Sequence, residues 1–248
     1  MYLSAQLFGV HEAVLRRDLN KILKFLSETG FHGVEMPFLL EAATPLQELG
    51  LHCSALHIAP ERLYRHGEIL DYLHRHNCRD LCVSGPIGWH DRSIENYKAT
   101  CDLLNSASEF YAQEGIKIHY HNHDFEFLLK SGDANWLFSV LERELNVEQI
   151  DLCVDVGWLH LAKIDVIGFL KVHGDRASHL HLRDFSKNKS VALGRGDVCL
   201  PELFSHLDKL KKLRWLVVEF EPTINFAADF KQSWQHVNSL SEQLIGSA

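Results

Sequence analysis

Four side chains that could bind a metal ion stand at the ends of four successive segments typical of β-strands: His121, Asp155, His181 and Glu219. Imidazole nitrogens and carboxylate oxygens suit Mn²⁺, Zn²⁺, Co²⁺, Fe²⁺ and Mg²⁺. Two carboxylates brought together in a partly dry cleft would repel each other, and a divalent cation would remove that cost. The residue types therefore predict one divalent metal ion, whose identity the sequence leaves open.

Polar and apolar residues alternate along these segments, so that the possible metal ligands of each segment lie on one face. In the fifth segment, His119, His121 and His123 share one face, and Ile118 and Tyr120 share the other. Residues two apart in a strand point in the same direction. The three segments that follow alternate in the same manner. We expect the apolar faces to pack against helices and the polar faces to line a common cavity.

Eight such segments recur along the chain, separated by amphipathic stretches typical of helices. The predicted strands are residues 4–9, 33–37, 51–57, 80–84, 116–121, 150–155, 178–183 and 215–220. One helix is predicted to open at Asp18 and end at Gly30, and Ser93 is predicted to cap another. Eight modules in 248 residues average about 31 residues each, which fits one α/β domain over residues 1–248, a (β/α)8 TIM barrel. An open doubly wound sheet would normally show a glycine-rich turn after its first strand, and none is present.

Composition and charge narrow the class of protein. Apolar residues make up 46% of the chain and the formal net charge is −8, so we expect a buried core and neither a nucleic acid nor a membrane as partner. Six scattered cysteines predict free thiols in a reducing compartment. The first 15 residues have no signal-peptide pattern, and a cytoplasmic protein is expected. The 17 histidines hint at chemistry without locating it.

Six short motifs follow one another in an order that resembles a known family. They read FHGVE at 31–35, YHNHDFEF at 120–127, DVGW at 155–158, HLHLRD at 179–184, LGRGD at 193–197 and VVE at 217–219. The chain resembles the xylose isomerase-like TIM barrels of the sugar phosphate isomerase/epimerase superfamily. The resemblance implies one divalent metal held by Glu, Asp, His and Glu at the ends of strands five to eight. The last three match Asp155, His181 and Glu219, whereas His121 stands where the family has its first glutamate.

The resemblance also implies a reaction on a small-molecule carbohydrate. An isomerase or epimerase would move a proton α to the carbonyl of a small sugar or polyol ketone, through an enediolate that the metal stabilises. Glu219 is the expected ligand that also handles the proton. Either His121 replaces the other glutamate as both ligand and base, or the second group is one of His57, His123 and Glu126. The alternatives are a metal-dependent dehydratase of a ketocyclitol or keto-sugar, and a non-catalytic sugar-binding relative.

Further side chains are expected to bind substrate at the barrel mouth. Trp158 could stack on a sugar face, Glu126 lies close to the predicted metal, and Glu35 either bonds substrate hydroxyls or pairs with a basic neighbour. Arg183 either reaches a substrate oxygen or anion, or forms an ion pair with Glu221 or Asp184.

The turn at 194–197 follows strand seven, where barrels often bind phosphate. The alternative is a tight loop in which Asp197 caps the next helix. Family members are often dimers or tetramers, so a homo-oligomer is an open expectation.

Three-zinc endonucleases of the same superfamily need ligands that this chain lacks. They require a histidine three residues after the strand-six aspartate, where Trp158 stands. They also require an Asp-x-His before the glycine-rich turn, where residues 187–190 read KNKS, and a histidine after strand four, where residues 84–86 read SGP. With the acidic charge, these departures argue against a nuclease.

Overall fold

Eight parallel strands form the centre of the protein. The computed structural model describes residues 1–37, 40–128, 130–131 and 135–246. The strands are β1 (Tyr2–Gln6), β2 (Gly33–Pro37), β3 (His52–Ile58), β4 (Asp80–Ser84), β5 (Lys117–His121), β6 (Ile150–Asp155), β7 (Ala177–Leu182) and β8 (Trp215–Val218). They pair in chain order, and β1 pairs with both β2 and β8, which closes the ring. The predicted (β/α)8 barrel is confirmed.

Helices and short turns connect the strands. The helices are α1 (Glu12–Thr29), α2 (His66–Arg75), α3 (Ile94–Gln113), α4 (Phe125–Leu128), α5 (Leu137–Glu144), α6 (Val156–Leu161), α7 (Val166–His173), α8 (Leu200–Phe204) and α9 (Phe226–Gly246). Among the described residues, no helix combines the length and apolar character needed to cross a lipid bilayer.

The carboxyl ends of two predicted strands differ from the structure by two residues or more, and one helix start also differs. The first strand stops at Gln6, because the Gln6 side chain accepts the N–H of Phe8 and turns Leu7–Gly9 into a 3₁₀ helix. The eighth strand stops at Val218, which leaves Glu219 just beyond it. Helix α1 begins at Glu12 rather than at Asp18, whose backbone departs from helical angles.

The predicted caps of two helices are confirmed. Gly30 ends α1 with φ of 104°, a left-handed conformation that glycine adopts without strain. The Ser93 hydroxyl accepts the N–H of Asn96 at the start of α3, at 3.2 Å. Both caps fix where a helix meets a barrel loop.

The barrel interior is polar over much of its length. At its lower end, Nε2 of His119 lies 2.7 Å from the Asp80 carboxylate, and the Ser178 hydroxyl bonds Nδ1 of both His119 and His179. Arg214 adds a 2.6 Å bond to Asp80. These groups satisfy one another inside the barrel, so the lower histidines belong to its internal packing.

Candidate metal centre

The four predicted ligands meet at the carboxyl ends of β5 to β8. One ligand atom from each of His121, Asp155, His181 and Glu219 lies within 4.8 Å of the other three. All four residues are at least 95% buried. Parallel strands bring their carboxyl ends to one face of the barrel, and this is where barrel enzymes hold their active sites. The arrangement offers two imidazoles and two carboxylates to one ion.

The His121 ring shows most directly that the group suits a metal. Its Nε2 lies 3.5 Å from Oδ2 of Asp155 and 3.5 Å from Oε2 of Glu219. Neither ring nitrogen has a hydrogen-bond partner among the described residues, although buried imidazoles normally have one. Two ligands placed about 2.1 Å from a tetrahedral ion lie about 3.4 Å apart. The spacing and the partnerless nitrogens both fit a divalent cation.

Backbone groups position Asp155. Its Oδ1 accepts the N–H of Gly157 at 2.8 Å and of Trp158 at 2.9 Å, which caps α6. The Asn122 amide bridges β5 to β6 by accepting the backbone N–H of Asp155 at 3.0 Å. One carboxylate oxygen is therefore used by the helix, and Oδ2 points toward His121.

Arg183 joins the two carboxylates of the group. Its Nε donates to Asp155 Oδ2 at 3.1 Å, Nη2 pairs with Glu219, and Nη1 donates to Glu221 at 3.0 Å. Burial favours a protonated Glu219, but Arg183 and His181 outweigh it and hold the pKa of Glu219 well below its usual range. The expected ion pair with Glu221 is present. Glu219 is therefore ionised, and Arg183 is shared among three acids.

A second carboxylate lies directly behind His181. Nδ1 of His181 lies 2.6 Å from Glu219 Oε2, and Nε2 lies 2.9 Å from Glu35 Oε2. Glu35 also accepts from His57 Nδ1 at 2.7 Å and from the Gln6 amide. Burial opposes a charged His181, yet Glu35 and Glu219 raise the pKa of His181 well above its usual value. A carboxylate behind a ligating histidine fixes its tautomer and ring orientation.

A cavity of about 510 Å³ opens above the centre. Its lining residues are Phe8, His57, Ser84, Trp89, Arg92, His121, His123, Asp124, Phe125, Trp158, Arg183, Glu219, Phe220, Glu221 and Pro222. The indole Nε1 of Trp158 and Nδ1 of His123 are buried and have no hydrogen-bond partner in the described part of the chain. Burial, followed by the charge of His121, holds the pKa of His123 well below its usual value, so the ring is neutral.

Three predicted substrate or catalytic residues occupy different positions. His57 lines the cavity, with Nε2 2.9 Å from the Ser84 hydroxyl. Glu35 is fully buried beneath it. Glu126 is also fully buried and accepts from Tyr120 at 2.7 Å, from Tyr97 at 3.0 Å and from the backbone of His123. Burial raises the pKa of Glu126 to about 7. The contacts of Glu35 and Glu126 fit roles in positioning the histidines.

The turn after β7 is folded around an aspartate. The Asp184 carboxylate accepts the backbone N–H groups of Gly194, Gly196 and Val198 at 3.0, 2.9 and 3.1 Å. These amides are the donors that a phosphate would need, and they are already used. Asp197 does not cap α8, whose N-cap is Cys199 without a side-chain bond. The tight-loop interpretation of this turn is supported, and the predicted Asp197 cap is wrong.

Sequence reasoning missed the part of the cavity that comes from loops. Trp89 and Arg92 lie between β4 and α3, and Phe8 lies in the turn after β1. The alternation of side chains along strands does not predict which loop residues line the cavity. One available signal was that Arg92 directly precedes the Ser93 cap, on a loop of the face where barrels bind ligands.

Comparison with known protein families identifies a family of TIM barrels that this chain matches. Residues 23–240 match the model of the family described as xylose isomerase-like TIM barrel. Among curated proteins, an inosose dehydratase from Clostridium beijerinckii is 24% identical over 168 residues, covering 60% of this chain and 55% of that protein. An inosose dehydratase from Clostridium perfringens is 24% identical over 146 residues, covering 51% of this chain and 48% of that protein. The chain thus spans about half the length of these relatives.

Solved structures share the fold at low sequence identity. A sugar phosphate isomerase/epimerase from Parabacteroides distasonis aligns with a TM-score of 0.79 at 16% identity, covering 96% of this chain and 94% of that one. An L-ribulose 3-epimerase aligns with a TM-score of 0.77 at 13% identity, covering 98% of this chain and 95% of that one. A protein named IOLI, with a bound zinc atom, aligns with a TM-score of 0.73 at 12% identity, covering 98% of this chain and 99% of that one.

Proposed function

The chain belongs to the xylose isomerase-like TIM barrel family, and on that premise we propose that it is a divalent-metal-dependent isomerase or epimerase. Its substrate would be a small sugar or polyol ketone. Family members include sugar isomerases, epimerases and dehydratases, so the family supports an enzyme of carbohydrate metabolism. The zinc atom of the IOLI protein lends support to a metal.

The observation that carries the proposal is the His121 ring, which lies inside the four-residue group and has no hydrogen-bond partner among the described residues. His121, Asp155, His181 and Glu219 would hold the ion, with Glu35 fixing the orientation of His181 from behind. When bound, a divalent ion would supply a Lewis acid for the oxygen anion that forms as a carbon-bound proton leaves. The cavity above the ligands has the size of a small-molecule site.

The proton transfer is assigned to the residues that line the cavity. Glu219 is ionised and reaches the cavity, so its carboxylate would take the proton from the carbon next to the carbonyl. An isomerase returns that proton to the neighbouring carbon. An epimerase needs a second group on the opposite face of the substrate, and His57 and His123 both line the cavity beside His121, with ring centroids 5.4 and 5.0 Å from it.

A dehydratase is the second candidate, because the curated relatives are inosose dehydratases. The first step is the same proton removal. The electron pair would then expel a hydroxyl from the next carbon, and that hydroxyl would leave as water with the proton that Glu219 had taken. A non-catalytic sugar-binding protein would use the same cavity without exchanging any carbon-bound hydrogen.

Metal content tests the site. The protein is stripped with a chelator, reloaded with Zn²⁺ or Mn²⁺ and measured by elemental analysis. We expect one ion per chain in the parent and a loss of affinity in Asp155→Asn and His181→Ala larger than the 10–100-fold typical of an outer-shell change. Asp124→Asn, which lines the same cavity outside the ligand group, serves as the matched control. Unchanged affinity in both ligand variants would show that the site is assigned wrongly.

Deuterium exchange tests the reaction. The loaded protein is incubated in D₂O with a panel of ketoses and ketocyclitols and followed by NMR. Deuterium incorporated next to the carbonyl without loss of water supports the isomerase or epimerase. Loss of water identifies the dehydratase. Binding without exchange on any compound would leave the sugar-binding alternative and overturn the proposed enzyme.

A further inference from the structure

One cationic side chain in the cavity has no acidic partner among the described residues. Arg92 precedes the Ser93 cap of α3 and lines the same cavity as Glu219, with its side chain half-buried. Its guanidinium carbon lies 3.6 Å from the centre of the Phe125 ring and 5.9 Å from that of Trp89. The described part of the chain places no carboxylate within ion-pair distance of Arg92, and its guanidinium lies against these two rings.

Stacking leaves the guanidinium able to bind a ligand. A guanidinium presents five N–H donors in its own plane, so a contact through its face leaves these donors free. The same fork matches the paired oxygens of a carboxylate or phosphate. The 20-residue helix α3 begins two residues later, at Ile94, and its dipole adds to the attraction for an anion.

The other arginine of the cavity differs in its surroundings. Arg183 is bound to Asp155, Glu219 and Glu221, which cancel its charge and hold it in place. The backbone amides of the turn after β7 are likewise occupied by Asp184. Among the described groups around the cavity, Arg92 is thus the cation that has room for an anion.

We propose that Arg92 anchors an anionic group of the substrate, a carboxylate or a phosphate, while the ketone end faces the four-ligand centre. This inference rests on the proposed function and narrows its substrate class to keto-sugar acids and keto-sugar phosphates. Asp124, which lines the cavity with the opposite charge, would accept hydrogen bonds from substrate hydroxyls. Arg92 is in this view the residue that determines specificity.

The test compares three six-carbon ketoses that differ in charge, D-fructose, D-fructose 6-phosphate and 5-keto-D-gluconate. Their binding to the metal-loaded protein is measured by calorimetry. In the parent, at least one anionic ketose is expected to bind about tenfold or more tightly than D-fructose. Arg92→Leu should reduce that preference to within about twofold without changing metal content, and Arg92→Lys should keep part of it. Preference for the phosphate or for the carboxylate identifies which source of the anion the site accepts.

Controls separate this inference from the proposed function. Arg17→Leu removes an exposed arginine paired with Asp18 on α1 and should leave the preference intact, while Asp124→Asn should preserve or raise it. No preference in the parent, or a preference that survives Arg92→Leu, would overturn the inference. Loss of metal binding or of deuterium exchange with the anion preference retained would instead count against the proposed function.

Discussion

At the scale of single residues, the most important difference from the family's ligand pattern is the imidazole at position 121, where the pattern has a glutamate. It would give a bound ion two nitrogen and two oxygen ligands, and the two carboxylates would balance the charge of a divalent ion. Imidazole suits Zn²⁺, Co²⁺ and Fe²⁺, while an additional carboxylate suits Mn²⁺ and Mg²⁺. His121 is thus expected to set which metal the protein prefers.

His121→Glu should move metal preference toward the harder ions. We expect the ratio of Zn²⁺ to Mn²⁺ affinity to fall about tenfold or more, because a carboxylate replaces a nitrogen ligand. Competition with a chelating dye measures both affinities. His123→Gln, which changes a neighbouring cavity histidine outside the ligand group, should leave the ratio unchanged. Equal ratios in the parent and His121→Glu would mean that residue 121 does not bind the ion.

Glu126 should make stability depend on pH. Burial raises its pKa from 4.5 to about 7 in the folded protein, so the folded state holds the proton more tightly than the unfolded state. The stabilisation from this group is complete below about pH 4.5 and is lost as pH rises through about 7. The unfolding free energy of Glu126→Gln minus that of the parent should therefore rise by about 3 kcal/mol between pH 4.5 and pH 8.

Urea unfolding at four pH values across that range measures the difference. Glu95→Gln on the exposed side of α3 is the control and should show no such trend. A Glu126→Gln difference that stays constant from pH 4.5 to pH 8 would show that Glu126 titrates normally.

At the scale of elements, helix α6 holds Asp155, the proposed ligand, close to the end of β7. A Cβ at Gly157 would lie 2.7 Å from the Cβ of Arg183 and 2.8 Å from its backbone oxygen. The short helix can approach β7 because residue 157 has no side chain. This close contact holds the capping carboxylate of Asp155 beside the arginine that bonds it.

Gly157→Ala should therefore destabilise the protein by about 1–3 kcal/mol, the usual cost of overpacking. It should also weaken metal binding, because Asp155 and Arg183 would move apart. Gly67→Ala in α2 meets nothing within 4 Å and should be neutral or stabilising by up to about 1 kcal/mol. Thermal unfolding compares the pair, and equal melting temperatures would contradict the close packing of α6 on β7.

Strand periodicity explains why some elements and ligands could be predicted and others could not. The bounds of β2, β4 and β6 agree with the sequence prediction, because apolar alternation runs to their ends. At β1, a side-chain bond from Gln6 turns the chain before the apolar pattern stops. Ligand candidates at strand ends were identifiable since residues two apart share a face.

Loop residues follow no such period. Neither Arg92 on Phe125 nor Asp184 inside its turn could be read from spacing alone. Their roles come from contacts between segments that are distant in the chain or that fold back locally. The histidine excess divides in the same way, because His119 and His179 bond within the barrel while His121 and His181 reach the ligand group.

At the scale of the whole molecule, the metal centre would join the ends of half the barrel. Its four ligands come from β5 to β8, which span the second half of the chain. An ion that binds only the folded state adds stability according to its concentration and affinity. The barrel and its metal should therefore be thermodynamically coupled.

Saturating metal should raise the melting temperature of the stripped protein. At a free concentration 100 times the dissociation constant, the gain is about 2.7 kcal/mol, or roughly 5–10 °C for a chain of this size. Differential scanning fluorimetry measures the shift. Asp155→Asn should show little of it, and an equal shift in that variant would indicate that the ion binds elsewhere.

The claim that His121 completes a four-ligand divalent centre is tested most directly by anomalous X-ray diffraction from zinc-loaded crystals. We predict one peak within about 2.2 Å of ligand atoms from His121, Asp155, His181 and Glu219. A second buried group lies beneath it, formed by Glu35, Cys82, Cys153 and the shared His181. A peak held by the two cysteines, or one that leaves His121 outside bonding distance, would contradict the claim.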